Sequence, residues 1–219
     1  QDENTSEFSS YVNYQYSSTR LIIEPGFRIQ KYTLGFSPEP RIGIKYIISE
    51  KLRSKFATGM YSQNIISTVS DRDVVNLFSG IISSPEELPQ NNEGENYSDK
   101  FQKSIHYIAG LEYDLNQKID FQIEGYVKDF NQLTNINRDR TGNNDNQFIV
   151  EKGSAKGIDI LTKYKSKELY IWLVYSYSMV ERKDDDFTYS PHFDRRHNVN
   201  FVSSFNLDKK RTWKADIRW

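Results

Sequence analysis

Along most of the chain apolar and polar residues alternate with a period of two, the pattern of a strand that has one face in an apolar medium. Ile42, Ile44, Tyr46 and Ile48 oppose Arg41, Gly43 and Lys45, and Ile105, Tyr107, Ala109, Leu111, Tyr113 and Leu115 oppose His106, Gly110, Glu112 and Asp114. Ile119, Phe121, Ile123 and Val127 oppose Asp120, Gln122, Glu124 and Lys128, while Ile158, Ile160, Thr162 and Tyr164 oppose Asp159, Lys163 and Lys165. Over Leu169–Tyr177 both faces are apolar, the odd positions more so. The pattern predicts about ten strands, near 7–16, 20–32, 40–48, 52–62, 102–115, 119–130, 148–164, 169–182, 195–207 and 211–219. Residues opposite each other in an antiparallel pair share a face. This sets Tyr16 opposite Leu21, Ile48 opposite Leu52, Leu115 opposite Ile119 and Tyr164 opposite Leu169.

The connections then alternate in length. Tight ones fall at 17–20, 49–51, 116–118, 165–168 and 208–210, and longer ones at about 33–39, 63–101, 131–147 and 183–194. A membrane β-barrel sorts its loops in this way, with short periplasmic turns and long extracellular loops. On the apolar face Tyr16, Tyr46, Tyr113, Tyr164 and Phe205 each stand just before a short turn, which predicts an aromatic girdle at one depth. Both ends of the chain are then expected on the outer side, whereas complete barrels of this kind keep both in the periplasm, so the stretch reads as an internal piece of a larger barrel. Pro25, within the second strand, is expected to mark a bulge.

Composition removes several classes. The 219 residues carry a formal net charge of -1, which gives no sign of a nucleic-acid partner, and the absence of Cys excludes a disulfide scaffold and a thiolate metal site. No apolar run approaches the roughly 18 residues of a spanning helix. Low mean hydropathy is compatible with a membrane barrel, because only every second strand residue meets lipid. Gln1-Asp2-Glu3-Asn4 has no basic start or apolar segment and reads as no signal peptide.

At Glu39-Pro40-Arg41-Ile42, Gly110-Leu111-Glu112-Tyr113, Gly125-Tyr126-Val127-Lys128-Asp129-Phe130, Gly157-Ile158-Asp159, Tyr175-Ser176-Tyr177-Ser178 and Phe193-Asp194-Arg195-Arg196-His197-Asn198 the chain resembles the later barrel strands of TonB-dependent outer-membrane receptors of the Bacteroidetes type. The resemblance spans nearly all of the chain. It implies an all-β fold, an antiparallel transmembrane β-barrel segment of about ten strands from a barrel of about 22, over residues 1–219. It also implies import of a scarce ligand, whether siderophore, glycan, peptide or vitamin. The partners implied are outer-membrane lipid, a plug domain and further barrel strands that this sequence lacks, the TonB complex acting through those missing parts, and a surface lipoprotein. No cofactor is expected.

The inward-facing charged set, Glu24, Arg28, Lys45, Arg53, Lys55, Glu112, Asp120, Glu124, Lys128, Asp159, Lys163, Lys214, Asp216 and Arg218, mixes both signs and would meet plug or water. The long connection Asn64–Lys100 is the candidate ligand-contact loop, with Arg72, Phe78 and Tyr97 as contact residues and a short helix at Asp73–Ile81. His192, Asp194 and His197 are spaced closely enough for a metal site or a catalytic pair, but Asp194-Arg195-Arg196-His197 reads better as an ion-paired strand start at the outer rim. Asp184-Asp185-Asp186 and Asn137–Asn146 offer oxygen ligands without the Gly and Glu of a calcium loop, and read as solvated loops. No metal and no catalytic residue is assigned. The alternatives to a receptor are a structural or assembly barrel without transport, and an outer-membrane enzyme using the His192 cluster.

Overall fold

Strict alternation leaves each of these segments with one apolar and one polar face, and only pairing along both edges satisfies their backbone groups. In the computed structural model that pairing gives one long antiparallel sheet. The structure describes residues 6–219 except 70–79, 86–87, 90–96, 98–99, 138–140, 143–144, 185–186, 209 and 211. Its strands are β1 (Phe8–Asn13), β2 (Tyr16–Ser17), β3 (Leu21–Tyr32), β4 (Gly35–Ile47), β5 (Leu52–Gln63), β6 (Ile65–Ser67), β7 (Ile81–Ser83), β8 (Gln102–Asn116), β9 (Ile119–Ile136), β10 (Phe148–Lys165), β11 (Leu169–Lys183), β12 (Thr188–Tyr189), β13 (His197–Asn206) and β14 (Lys214–Arg218). The order is β1-β3-β4-β5-β8-β9-β10-β11-β13-β14, with β2 on β3, β12 on β11 and β6–β7 as a separate hairpin. β1 and β14 are not joined, so the sheet is open.

The register carries the expected facing through all ten main strands. One rung runs Phe56, Ala109, Gly125, Ile158, Tyr177 on the apolar face. Many of these apolar side chains are exposed, among them Phe56, Tyr107, Leu111, Val127, Ile158 and Leu173, as a lipid-facing wall requires.

The aromatic residues at the short turns show how the wall is tilted. Tyr16 pairs through Ile23 with Ile44, and Tyr46 lies two residues inward of Ile44. Tyr46 pairs through Ser54 with Leu111, two residues from Tyr113; Tyr113 pairs through Phe121 with Thr162, two from Tyr164; Tyr164 pairs through Ile171 with Ser203, two from Phe205. The girdle therefore steps inward by two residues at every second strand. One residue of rise (about 3.3 Å) per strand spacing (about 4.8 Å) keeps the girdle at one depth if the strands tilt by about 35° from the barrel axis, the tilt of closed barrels. From Phe121 outward to Asp129, the next charged residue on that face, the strand then rises about 22 Å along the axis, near the apolar thickness of about 25 Å.

Several expected details are corrected. The turns are tighter than predicted: Ser18 N–H donates to Leu21 O and Ser166 N–H to Leu169 O, so Tyr16 faces Ile23 and Tyr164 faces Ile171. Both shifts are of two residues, which preserves the facing. Leu115 is a bulge rather than the partner of Ile119, which pairs with Asn116; Ile48 N–H does meet Leu52 O. The connection at 33–39 is no long loop, because Tyr32 pairs with Gly35 and β4 begins there. Pro25 makes no bulge: the register is the same on either side of it, but its missing N–H interrupts the ladder between β1 and β2, where only Tyr14 N–H donates to Pro25 O. β9 continues to Ile136. β14 runs toward the end that bears the long loops, but Trp219 pairs with Phe201, half-way up the wall and short of the outer rim.

Candidate functional site: the outer half of the polar face

Turning the alternation inward puts charge against charge, and the inner half of the polar face resolves this by ion pairing. Lys45 and Lys55 stand directly opposite each other and would repel. Glu112 answers both, at 2.7 Å from Lys45 Nζ and 3.5 Å from Lys55 Nζ, and also meets Arg53 Nε at 3.1 Å. Arg53 reaches Asp114 with two N–H groups at 2.6 Å, and Lys55 meets Glu124 at 3.0 Å. Gly110, opposite Lys55, leaves the space this lattice occupies, since a Cβ there would come within 3.0 Å of Lys55 Cε.

Toward the long loops the same face changes character. The Arg41 guanidinium lies 4.5 Å from the Tyr61 ring centre, Tyr61 stacks on His106 at 4.3 Å, His106 meets the Phe130 ring edge-on at 6.4 Å, and Arg182 lies 5.9 Å from Phe130. This ribbon of cation, aromatic ring, imidazole, ring and cation crosses the wall from β4 to β11. Two glycines make it continuous. Gly59 stands between Arg41 and His106, where a Cβ would approach Arg41 Cγ to 2.9 Å, and Gly153 stands between Phe130 and Arg182. Beside the ribbon lies a concavity of about 440 Å³ lined by Tyr61, Gln63, Gln102, His106, Lys128 and Phe130. Ser104 Oγ holds His106 Nε2 at 3.1 Å. Such a surface can stack a ring or sugar face and offer amide and cationic donors to oxygen.

A buried polar rim surrounds it. Glu39, 2 % exposed, is paired with Arg41 at 2.6 Å and accepts both the Ser62 N–H and hydroxyl. Tyr32 packs on Phe101 at 4.3 Å and bonds Ser62 Oγ. Glu151, 1 % exposed, accepts the Tyr189 hydroxyl on both oxygens and an Asn135 N–H.

Of the residues expected to matter, Arg28, Lys45, Glu112, Asp120, Glu124, Lys128, Asp159 and Lys163 all stand on the polar face. Arg72 and Phe78 lie outside the described residues; Tyr97 is described and half-buried. Most of the expected helix at Asp73–Ile81 also lies outside them, and its last residue, Ile81, is in strand β7. The Asp194 carboxylate accepts the Val180 N–H and pairs with Arg196 at 3.2 Å, the ion-paired strand start expected of it. His197 bonds the Tyr175 hydroxyl, and His192 packs on Phe193. Among the described residues no three His, Asp or Glu side chains converge as metal ligands. Asp145 is turned onto the Thr141 and Gly142 N–H groups. Tyr61 and Phe130 were not singled out from the sequence. The available signal was an aromatic residue at a position where the alternation calls for a polar one.

No protein-family model matches the sequence, and no curated protein does. Solved structures do. The alcaligin outer-membrane receptor FauA of Bordetella pertussis aligns over 98 % of this chain and 37 % of its own, with 13 % identity and a TM-score of 0.61. The receptor in the FpvAI–pyocin S2 complex aligns over 98 % of this chain and 27 % of its own, at 9 % identity and TM-score 0.65. The fold is that of a piece of an outer-membrane receptor barrel. The siderophore receptor PirA of Pseudomonas aeruginosa agrees, over 94 % of this chain and 43 % of its own, at 11 % identity and TM-score 0.57. This chain spans less than half the length of each of these receptors.

Proposed function

We propose that the chain forms part of the wall of an outer-membrane receptor that imports a scarce ligand. Its apolar face meets lipid, its polar face lines the lumen, and the ribbon from Arg41 to Arg182, with the loop after β5, contacts the ligand on its way in. Arg72, Phe78 and Tyr97 belong to that loop as contact residues. The inner lattice around Glu112, with Asp120, Glu124, Asp159 and Lys163, faces a plug domain and water, as do Arg28 and Lys128 further out beside the ribbon. Energy would arrive from TonB through parts of the protein outside this chain, and a surface lipoprotein is a further partner. The observation that carries the reading is the aromatic and cationic ribbon on the polar face, at the long-loop end of a sheet whose other face is apolar over the thickness of a membrane.

The test uses the whole receptor, produced in a host lacking its own copy, with Tyr61, His106 and Phe130 all changed to Ala. Uptake is followed for a panel of ferric siderophores, oligosaccharides, peptides and cobalamin. The variant is expected to reach the outer membrane at wild-type level and to lose uptake of whichever probe the wild type imports. Wild-type uptake by the variant would remove the ribbon from the path. No energy-dependent uptake by the wild type would favour a structural barrel.

A further inference from the structure

The apolar face is not uniformly covered. On the rung Phe56, Ala109, Gly125, Ile158, Tyr177, two neighbouring strands present almost no side chain, while Leu111 and Ile123 lie inward and Tyr107 and Val127 outward. The result is an apolar groove of about 520 Å³, walled by Phe56, Tyr107, Val127, Ile158 and Tyr177. Packing within the wall does not explain Gly125. A Cβ there would meet nothing nearer than Gly157 O at 3.9 Å, an ordinary contact. A strand glycine with room for a side chain costs stability and marks a place where something else approaches the backbone. Here it can approach only from the lipid side.

The charges beside the groove say what approaches. Lys156 lines its outer end, one facing position beyond Ile158, and its ammonium has no ion-pair partner among the described residues. One rung further out stand Asp129, Ser154 and Glu181. Reading outward, the face presents an apolar slot, a cation, then carboxylates and a hydroxyl. That order complements an acyl chain, a phosphate and the hydroxyls of a sugar headgroup.

We propose that the apolar face holds one phosphorylated glycolipid of the outer leaflet, with an acyl chain in the groove over Ala109 and Gly125 and its phosphate on Lys156. The site rests on the reading that this face meets the bilayer with the long loops outward. A snorkelling lysine at that depth costs a barrel little and gains from an anionic headgroup.

The experiment places the whole receptor in phosphatidylcholine nanodiscs doped with diphosphoryl lipid A or, separately, phosphatidylethanolamine, and counts retained lipid by native mass spectrometry. The wild type is expected to keep one lipid A. Gly125→Leu should weaken retention about tenfold by filling the slot, and Lys156→Gln about fivefold, the latter effect fading at high salt. Ala109→Leu blocks the same slot if Gly125→Leu fails to fold. Equal retention by the wild type and the slot and lysine variants would overturn the site, as would equal retention of phosphatidylethanolamine. A protein dimer that Gly125→Leu dissociates would give the groove to a second copy instead. A receptor that does not enter the nanodisc at all would overturn the membrane reading itself, a result separate from these.

Discussion

Gly157 and Gly125 are a rung apart in meaning though nearly adjacent in space. At Gly157 an added Cβ would lie 2.6 Å from Tyr126 Oη and 2.7 Å from Tyr177 O, the tyrosine ring lying across the glycine on the polar face. Gly157→Ala is therefore expected to destabilise the whole protein by about 1–3 kcal/mol, through strain against backbone that cannot yield, while Gly125→Ala is neutral or slightly stabilising. Urea midpoints in detergent compare the two, and equal effects would show that the close approach is not real. Glu112 is the other residue whose surroundings decide its worth. It answers Lys45, Arg53 and Lys55 together with its side chain only 14 % exposed, so Glu112→Gln should cost about 1–3 kcal/mol, chiefly by taking from Lys45 its carboxylate partner, while Arg53 keeps Asp114 and Lys55 keeps Glu124. At the last short turn the Trp213 N–H, then the other donors around it, holds the Asp208 carboxyl below its ordinary range. A depressed folded value means that the turn gains stability above the unfolded value near 3.8 and loses it as pH falls through the folded one. Amide exchange at Trp213 should quicken in acid, and Asp208→Asn should flatten that dependence.

At the scale of elements, the pairing of β4 with β5 stops at Arg41 because Pro40 and Pro38 have no N–H to give. The Glu39 carboxylate takes over, accepting the Ser62 N–H that the ladder would have used. Glu39→Ala should speed exchange of the Ser62 amide and cost about 1–3 kcal/mol; an unchanged amide would mean that the carboxylate is not its partner. Short turns follow one local rule. Ser49, Asn116 and Ser166 each accept a backbone N–H two or three residues on, which is why these turns are compact and were legible from their residue types. The outer ends of the strands were less legible. Asn131-Gln132-Leu133-Thr134-Asn135 reads as loop in composition, yet it continues β9, with Gln132, Thr134 and Asn135 buried and Asn135 bonded to Glu151. The partner of Asn135 comes from β10, and Glu151 is itself held by Tyr189 of β12, out of reach of local pattern.

For the whole molecule the open sheet is the governing fact. β1 and β14 each have one unpaired edge, and a bare backbone amide in hydrocarbon costs several kcal/mol. Refolded alone into vesicles, the chain is expected to stay sensitive to protease, whereas the whole receptor should become resistant and migrate as a compact species without heating. A resistant monomer of the chain alone would contradict the open edges. Substituting His192 or His197 by Ala is expected to leave uptake by the whole receptor within about twofold, because both side chains pack as rim structure, and the loss of a hydrolytic activity would argue for an enzyme.

Strand number, facing and the inner girdle were written in the sequence, because a two-residue period and a few turn residues are local properties that survive without knowledge of the partner strand. Facing held even where the pairing of Tyr16 and Tyr164 was off by two, since even shifts leave every side chain on its side. Three things were decided only by tertiary structure. The one-residue stagger per strand, and so the tilt, exists only between strands. The ribbon from Arg41 to Arg182 joins residues of five strands whose neighbours in sequence face the other way. The groove at Ala109 and Gly125 arises because register sets two small residues, each unremarkable in its own strand, side by side on the same face.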